Sequence, residues 1–225
     1  MSVEFSVSTW RQPVPSPAGP RRAAVIDALV ATIDATGAGQ LRIAIDGLTA
    51  AGKTTFGHEL ARGLHRPVLR ASLDDFKRLW SERHRYDRES GEGYYRNAFD
   101  YDAARRLLLE PTNAVALCGI DPLTQIDHSA HTTVFAPDGV LIVDGVFACR
   151  PEINDAWDLR IWVEIAAELS VRRGSERDGD EALHRDRYLA AERIYIAEVD
   201  PCSFVEVIVN NSDFERPVIS RGGGI

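Results

Sequence analysis

Cysteine is scarce in this chain of 225 residues. Only Cys118, Cys149 and Cys202 occur, and they are too few and too widely separated for a disulfide framework or a metal cluster. Three scattered thiols are typical of proteins that work in a reducing compartment. We therefore expect reduced cysteines and a cytoplasmic protein.

Two other absences narrow the class of protein. No apolar run approaches the ~20 residues of a membrane span, and the first residues lack a signal-peptide core, so we expect no membrane partner. Positive charge is in deficit, since 26 lysines and arginines against 34 acidic residues give a net charge of −8. This balance argues against general nucleic-acid binding. The 44% of hydrophobic residues is sufficient for the core of a globular domain.

The sequence does contain a glycine-rich phosphate-binding pattern. An apolar strand precedes the motif Gly-x4-Gly-Lys-Thr, and an amphipathic helix follows it. Gly47 and Gly52 allow a tight turn close to a ligand, Lys53 can reach phosphate oxygens, and the Thr54 hydroxyl can ligate magnesium. The alternative is a glycine-rich turn that opens an ordinary helix. The predicted nucleotide-binding residues are Gly47, Leu48, Thr49, Ala50, Ala51, Gly52, Lys53, Thr54 and Thr55.

The order of the predicted elements indicates an α/β fold. Strands alternate with helices along the chain, which predicts a mainly parallel sheet flanked by helices on both faces, in a P-loop NTPase architecture. Residues 1–20 contain four prolines and are expected to form an irregular arm. Residues 21–215 are expected to form a single domain, and residues 216–225 a glycine-rich tail.

Three acidic residues follow apolar strands, at the sheet edge where ligands bind in such folds. Asp144 ends a strongly apolar strand and is placed to orient magnesium, directly or through water; the alternative is a helix N-cap or a strand-end turn. Asp74 and Asp75 follow the neighbouring strand, where a carboxylate could accept a proton from an attacking hydroxyl. Strand alternation suggests that one of the pair faces the cleft while the other caps the next helix, and two capping residues remain an alternative.

Basic residues form two further candidate regions. Arg173 and Arg177 lie four residues apart on one predicted helix, before a polar turn, and could form a helical lid that neutralises phosphate charge. A solvated helix face is the alternative. The run from Lys77 to Arg96 could hold an acceptor or be a solvated loop. Its candidate substrate residues are Tyr95 and Arg96, although Tyr95 could equally pack in the core. Asp75 of the acidic pair is a further candidate substrate residue.

These motifs together resemble the uridine kinase-like branch of the P-loop kinases, which also includes phosphoribulokinase and one type of pantothenate kinase. The resemblance runs from Leu41 to about Val209. It is carried by the segments IAIDGLTAAGKTT (43–55), SLDDF (72–76), Phe99-Asp100, LIVDGV (141–146) and the arginines of the lid at 172–178. It implies a nucleoside-kinase-like fold.

The resemblance also implies roles for individual residues. Asp74 matches the base that activates the acceptor hydroxyl and joins the magnesium site. Asp100 matches an aspartate that holds ribose hydroxyls. Asp144 stands where the family usually has a glutamate near magnesium. Lys53, Thr54, Arg173 and Arg177 match the phosphate, magnesium and lid residues.

Two positions depart from the uridine kinase pattern. Lys77 stands where those enzymes place a tyrosine against the base, and their pyrimidine-reading segment is only loosely echoed by Ile120-Asp121 and His128. We therefore expect a kinase that uses ATP and Mg²⁺ to phosphorylate a small-molecule hydroxyl, with a nucleoside such as uridine as the first choice. A kinase of another small alcohol (sugar- or pantothenate-like) and a non-catalytic nucleotide-binding regulator are the alternatives. The oligomeric state, including a homo-oligomer, is left open.

Overall fold

The computed structural model describes residues 3–10, 16–35, 39–83 and 85–222. Parts of the expected arm and tail therefore lie outside the described residues. Within this part of the chain the strands are β1 Val3–Phe5, β2 Leu41–Gly47, β3 Val68–Ser72, β4 Ala114–Val115, β5 Thr133–Val134, β6 Val140–Asp144, β7 Leu159–Glu164, β8 Val207–Asn210 and β9 Val218–Gly222. The α-helices are α1 Pro20–Ala35, α2 Lys53–Gly63, α3 Gly91–Asn97, α4 Tyr101–Ala104, α5 Ala167–Asp178 and α6 Ala190–Val199.

Seven of these strands form one sheet in the order β1-β3-β6-β2-β7-β8-β9. All neighbouring pairs are parallel except β8 and β9. The central strands β2 and β6 are buried on both faces, which explains why they read as nearly continuous apolar runs rather than as alternating patterns. Helices cover both faces, with α2 packed against β2, β3 and β6, so the expected α/β fold is confirmed.

The parallel arrangement brings the carboxyl ends of β2, β3 and β6 to one edge of the sheet. Ser72 is paired with Asp144 across β3 and β6, and Ile45 is paired with Asp144 across β2 and β6. The loops that follow these three strands therefore begin side by side. This edge is where the sequence analysis expected a ligand.

The two edge strands were not predicted from the sequence. β1 lies within the segment expected to be irregular and pairs in parallel with β3, from Val3 opposite Val68. β9 lies within the expected tail and pairs antiparallel with β8. Both segments thus extend the sheet, and a strand of only three residues such as β1 gains its stability from the neighbour it pairs with.

Candidate active site

The phosphate-binding loop connects β2 to α2 and needs glycine at two positions. Gly47 has a φ of +145° and Gly52 a φ of +95°, values that L side chains rarely adopt. A Cβ atom at Gly47 would lie 2.3 Å from the Val163 carbonyl oxygen, and one at Gly52 would lie 2.7 Å from the Asn211 side chain. The backbone of the loop is therefore packed closely against its neighbours, which leaves its amides at the N-terminus of α2 in the arrangement that suits phosphate oxygens.

Lys53 begins α2 and lies inside the loop. Its ammonium group donates hydrogen bonds of 2.9 Å and 2.7 Å to the carbonyl oxygens of Gly47 and Leu48. Burial lowers the pKa of Lys53, while the carboxylates of Glu192 and Asp46 act in the opposite direction. The ammonium group is thus held at the centre of the loop by acceptors on the protein, in a position suited to phosphate binding.

Thr54 and Asp144 are in direct contact. The Thr54 hydroxyl donates a 2.5 Å hydrogen bond to Asp144 Oδ2, and Asp144 Oδ1 accepts a 2.5 Å ion-paired bond from Arg70. Asp144 is 3% exposed, so this buried carboxylate is both oriented and neutralised by its two partners. The pairing suits a magnesium ion held by the Thr54 hydroxyl, with Asp144 acting on that hydroxyl or on a metal-bound water.

The acidic pair after β3 is split between two environments. Asp74 Oδ1 is 2.6 Å from the Lys77 ammonium nitrogen. Burial raises the pKa of Asp74, but the charges of Lys77, Lys53 and Arg177 outweigh that effect and the pKa is lowered. Asp74 is therefore an ionised carboxylate in the cleft.

Asp75 is turned away from Asp74 and is only 2% exposed. Burial raises the pKa of Asp75 to about 7, in spite of hydrogen bonds from Ser8 and Ser6 that act to lower it. Asp75 does not line the cleft that contains Asp74, but a smaller neighbouring cavity. Asp75, a candidate substrate residue, thus lies outside the cleft that contains Asp74.

One open cleft of 800 Å³ collects most of the predicted site. Its walls include six residues that the sequence analysis singled out for phosphate, metal or catalytic roles, namely Lys53, Thr54, Asp74, Asp144, Arg173 and Arg177. Four other members of the loop, Thr49, Ala50, Gly52 and Thr55, also line it. The cleft thus combines the glycine-rich loop, cationic side chains and the Asp74 carboxylate in one space.

The two arginines of α5 have different partners. Arg173 donates to the carbonyl oxygens of Asn211 (3.1 Å) and Ser212 (2.9 Å), which follow β8. Arg177 makes a two-pronged contact with Asp178, at 2.6 Å and 2.7 Å. Both arginines line the cleft, together with Asp74 and Lys77.

The other three predicted substrate residues also lie outside the cleft. Asp100 accepts a 3.0 Å hydrogen bond from the Ala103 amide and so caps α4. Tyr95 is buried, with the Arg150 guanidinium 4.3 Å from its ring centre, and Arg96 pairs with Glu198 at 2.6 Å. Tyr95 and Arg96 do not face the cleft, because successive residues of α3 point about 100° apart. Its neighbour Tyr94 is the residue of that helix that lines the cleft.

Sequence reasoning missed two buried carboxylates that hold the loop. Asp46 accepts from the Gly47 amide (2.7 Å) and the Tyr195 hydroxyl (2.5 Å), and burial raises its pKa. Glu192 of α6 accepts a 2.5 Å hydrogen bond from the Thr49 amide, and burial raises its pKa as well. Asp46 carried a usable signal, since it is the one charge in the apolar half of β2. Glu192 carried none, because 143 positions separate it from Thr49.

Other kinds of site find little support in the described residues. No helix among them is long and apolar enough to cross a bilayer. No cluster of three or more histidine, cysteine, aspartate or glutamate side chains with metal-binding geometry occurs in the same part of the chain. The side chains in the cleft that could hold a cation are the Thr54 hydroxyl and the carboxylates of Asp74 and Asp144, a set that suits magnesium bound together with phosphate oxygens.

The parallel sheet and the glycine-rich loop between β2 and α2 give the chain the fold of P-loop kinases, and comparison with known proteins agrees. The chain is 28% identical over 184 residues to a uridine kinase of Halobacterium salinarum, covering 78% of this chain and 79% of that protein. It is 27% identical over 143 residues to a uridine kinase of Staphylococcus carnosus, covering 62% and 68%. No protein-family model matches the chain.

Solved structures show the same similarity. A possible uridine kinase from Bacillus stearothermophilus superposes with a TM-score of 0.65 and 25% identity, covering 81% of this chain and 96% of that one. A candidate fructose transport system kinase from Silicibacter sp. TM1040 shares the fold, with a TM-score of 0.62, 22% identity and coverage of 80% and 95%. These matches confirm the resemblance to uridine kinase-like P-loop kinases.

Proposed function

We propose that the protein is a cytoplasmic phosphotransferase that moves the γ-phosphoryl group of ATP to a hydroxyl of a small molecule, with a nucleoside as the first choice of acceptor. The observation that carries this proposal is the shared cleft: Lys53, Thr54 and Asp74 line it together with the arginines of α5. Phosphoryl transfer asks the protein mainly for positioning and charge neutralisation, which these groups supply.

Each group has a role in the proposed reaction. ATP and magnesium, when bound, would supply the transferable phosphoryl group and neutralise its oxygens. Lys53 and the loop amides would bind phosphate oxygens, and the Thr54 hydroxyl, oriented by Asp144, would ligate the metal. Asp74 would take the proton from the acceptor hydroxyl. Arg173 and Arg177 would offset the charge that develops during transfer. Each of these residue roles is part of the proposal.

A kinase of another small alcohol is the second candidate, and a specific contact supports it. Lys77 pairs with Asp74 and lies 5.5 Å from the Tyr94 ring centre, in the position where the resemblance expects a tyrosine against the base. Asp100, which the resemblance matches to a ribose-binding aspartate, is engaged in capping α4. A cationic group beside the catalytic carboxylate would favour an acceptor that carries its own negative charge.

The test of the proposed function is an ADP-release assay with ATP and magnesium against a panel of acceptors. The panel contains uridine, cytidine, other nucleosides, pantothenate, ribulose 5-phosphate and free sugars. A nucleoside-dependent rate supports the first candidate, and a rate only with another alcohol supports the second. Tight nucleotide binding with no acceptor dependence would instead support a nucleotide-binding regulator.

The role of Asp74 is tested by substitution. We expect Asp74→Asn to reduce phosphoryl transfer by at least about a hundredfold, because a general base is lost, while ATP binding changes little. Asp75→Asn is the matched control, since it alters the adjacent carboxyl outside the cleft and should have the smaller effect. Steady-state rates and ATP titrations measure both. A larger loss in Asp75→Asn would assign the base to the second acid of the pair.

A further inference from the structure

Trp10 belongs to the N-terminal segment and nevertheless lines the cleft, together with Thr54 and Asp74. The residue is 36% exposed, whereas Trp157 and Trp162 are each 4% exposed and belong to the core. The proposed phosphoryl transfer assigns no role to this indole. A large aromatic side chain that stays partly exposed in the wall of a cleft offers its surface to a ligand.

The segment that carries Trp10 continues from β1 along the outer edge of β3. The Ser6 amide donates a 3.3 Å hydrogen bond to the Arg70 carbonyl oxygen, which extends the pairing of the two strands by one residue. The Trp10 amide then donates a 3.1 Å hydrogen bond to the hydroxyl of Ser8, a residue that is 1% exposed. Because β1 and β3 are parallel and β3 leads into Asp74, this path brings Trp10 to the sheet edge that holds the expected base.

A buried carboxylate fixes the residue immediately before Trp10. Asp121 is 0% exposed, and its Oδ2 accepts hydrogen bonds of 2.7 Å from both the amide and the hydroxyl of Thr9. Its Oδ1 accepts from the amides of Leu123 and Thr124, at 2.8 Å and 2.9 Å. Hydrogen bonds to a carboxylate are among the stronger ones in proteins, so four of them hold the segment firmly.

The same carboxylate is tied to the acidic pair after β3. The amides of the two residues before Asp121 donate to the Asp75 carbonyl oxygen, at 2.9 Å and 3.1 Å, so this stretch lies against the chain that follows Asp74. The resemblance to uridine kinases matches the stretch only loosely to their pyrimidine-reading segment. Here Asp121 is engaged by Thr9, and what it contributes to the cleft is the position of Trp10.

The cleft contains two more aromatic residues, Tyr94 and Tyr188. These two pack on each other, with 5.0 Å between their ring centres. No aromatic ring or cation among the described residues stacks on Trp10, so the indole has no stacking partner within that part of the protein. An indole in this situation favours a flat ring on the ligand, because offset stacking adds to the apolar area that the contact buries.

We propose that Trp10 is a substrate-contacting residue that stacks on a planar ring of the acceptor, and that Asp121 is a positioning residue that acts through Thr9. This inference rests on the proposed phosphoryl transfer and narrows its acceptor to a compound that carries such a ring, as the base of a nucleoside does. An acceptor with its hydroxyl at Asp74 has the rest of its body in the cleft that Trp10 also lines.

The experiment is steady-state kinetics of the full chain with ATP and magnesium, and with uridine, cytidine and adenosine as acceptors that carry a planar base. We expect Trp10→Leu to raise the KM of the nucleoside by about tenfold or more, the range for loss of a base-stacking side chain, with kcat and the KM of ATP changed by less than about threefold. Trp10→Phe retains an aromatic face and should keep the nucleoside KM within about threefold of the original.

Variants of Thr9 test the positioning role. Thr9→Val replaces the hydroxyl that donates to Asp121 by a methyl group, and should raise the nucleoside KM by about threefold to tenfold without a change in kcat, because Trp10 is held less firmly. Thr9→Ser restores the hydroxyl and should restore the KM. The matched control is Trp80→Leu, since Trp80 is 52% exposed and does not line the cleft; its kinetics should equal those of the unmodified chain.

Three results would overturn this inference while the proposed function stands. They are an unchanged nucleoside KM in Trp10→Leu, a rise in the KM of ATP in place of that of the nucleoside, and turnover only of acceptors without a planar ring, such as pantothenate. Failure of the proposed function looks different, because the unmodified chain would then show no acceptor-dependent rate with any compound, and the inference about Trp10 would fall with it.

Discussion

At the residue scale, Asp144 depends on two neighbours. Its carboxylate accepts from the Thr54 hydroxyl on one oxygen and from the Arg70 guanidinium on the other. Asp144 ends β6, Thr54 lies in the first turn of α2, and Arg70 is the middle residue of β3. Arg70 also donates a 2.7 Å hydrogen bond to the Ile142 carbonyl oxygen inside the sheet. The expected metal ligand is thus held by a buried ion pair, whose loss has a cost for folding as well as for the site.

We predict that Arg70→Met destabilises the protein by about 3–5 kcal/mol, because it leaves the buried Asp144 carboxylate without its counter-ion. Urea denaturation measures the difference in the free energy of unfolding. The exposed Arg62 on α2 provides the control, and Arg62→Met should change that free energy by no more than about 0.5 kcal/mol. A loss below about 1 kcal/mol in Arg70→Met would show that Asp144 does not need the ion pair.

His58 predicts a pH dependence of stability. Burial, reinforced by the charges of Arg70 and Arg62 against the opposing Asp144, lowers the pKa of His58 from 6.5 to about 4. Between pH 4 and pH 6.5, His58 is protonated in the unfolded chain but neutral in the folded chain. The stability that the chain has above pH 6.5 is therefore partly lost as the pH falls toward 4. We expect this loss to be about 1–2 kcal/mol after solvent screening.

The measurement compares urea denaturation of the unmodified chain and of His58→Phe between pH 7 and pH 4. The difference between the two curves isolates His58 from groups that titrate in the opposite direction, such as Asp75 with its raised pKa. The unmodified chain should lose more stability than the variant as the pH falls. Parallel curves would contradict the prediction.

Local sequence was sufficient to predict which residues meet in the cleft where their position depends on neighbours along the chain. Lys53 and Thr54 are defined by the motif itself, and Asp144 by the end of an apolar strand. Tyr95 and Glu192 illustrate the limit: the direction of a side chain on a short helix such as α3, and a contact made across the sheet from α6, depend on packing that no local pattern records. Their positions follow from tertiary structure.

At the scale of elements, the end of α5 is held by a histidine that the mechanism does not itself use. His184 Nε2 lies 2.8 Å from Asp178 Oδ2, and Asp178 in turn holds the Arg177 guanidinium. The His184 ring fits against α5 only because residue 174 is glycine, since a Cβ there would lie 2.2 Å from His184 Nδ1. The aim of Arg177 therefore depends on close packing of α5 against the helical turn at residues 183–189.

We predict that Gly174→Ala reduces phosphoryl transfer by about tenfold to a hundredfold, because displacement of His184 misplaces Arg177. ATP affinity, which rests on the loop, should change less. The control on the same helix is Glu176→Ala, an exposed substitution between residues of similar helix propensity, which should leave the rate nearly unchanged. An undiminished rate in Gly174→Ala would mean that Arg177 finds its position without His184. Rates are measured with the acceptor identified from the panel.

The elements themselves were predictable to different degrees. Long, regular ones such as α1 and β6 follow from periodicity and apolar content. β1 and β9 do not, because each is a short edge strand whose existence depends on a partner far away in sequence. Phe5 of β1 and Trp10, five residues further on, line the smaller cavity beside the cleft, so the least predictable part of the chain also borders the site.

At the scale of the whole molecule, a buried network ties the loop to distant parts of the chain. Arg22 of α1 pairs with Glu59 of α2 at 2.7 Å and donates to the Asn211 side chain at 2.8 Å. Asn211 donates in turn to the Ala51 carbonyl oxygen at 2.7 Å. Helices α1 and α2, the end of β8 and the phosphate-binding loop are thus one connected unit, and binding at the loop should stabilise the entire fold.

We therefore predict that ATP with magnesium raises the midpoint of thermal unfolding. A ligand present at a hundred times its Kd stabilises the folded state by about 2.7 kcal/mol, which for a chain of this size corresponds to roughly 5–10 °C. Lys53→Met should lose most of this increase, because the loop loses its central cation. Lys77→Met is the matched control: it removes the chain's other lysine, which pairs with Asp74 beside the acceptor, and should keep most of the increase. An increase in the unfolding midpoint that survives in Lys53→Met but disappears in Lys77→Met would place the nucleotide away from the loop. Chelation of magnesium in the unmodified chain would separate the metal's contribution to the increase from that of the phosphates.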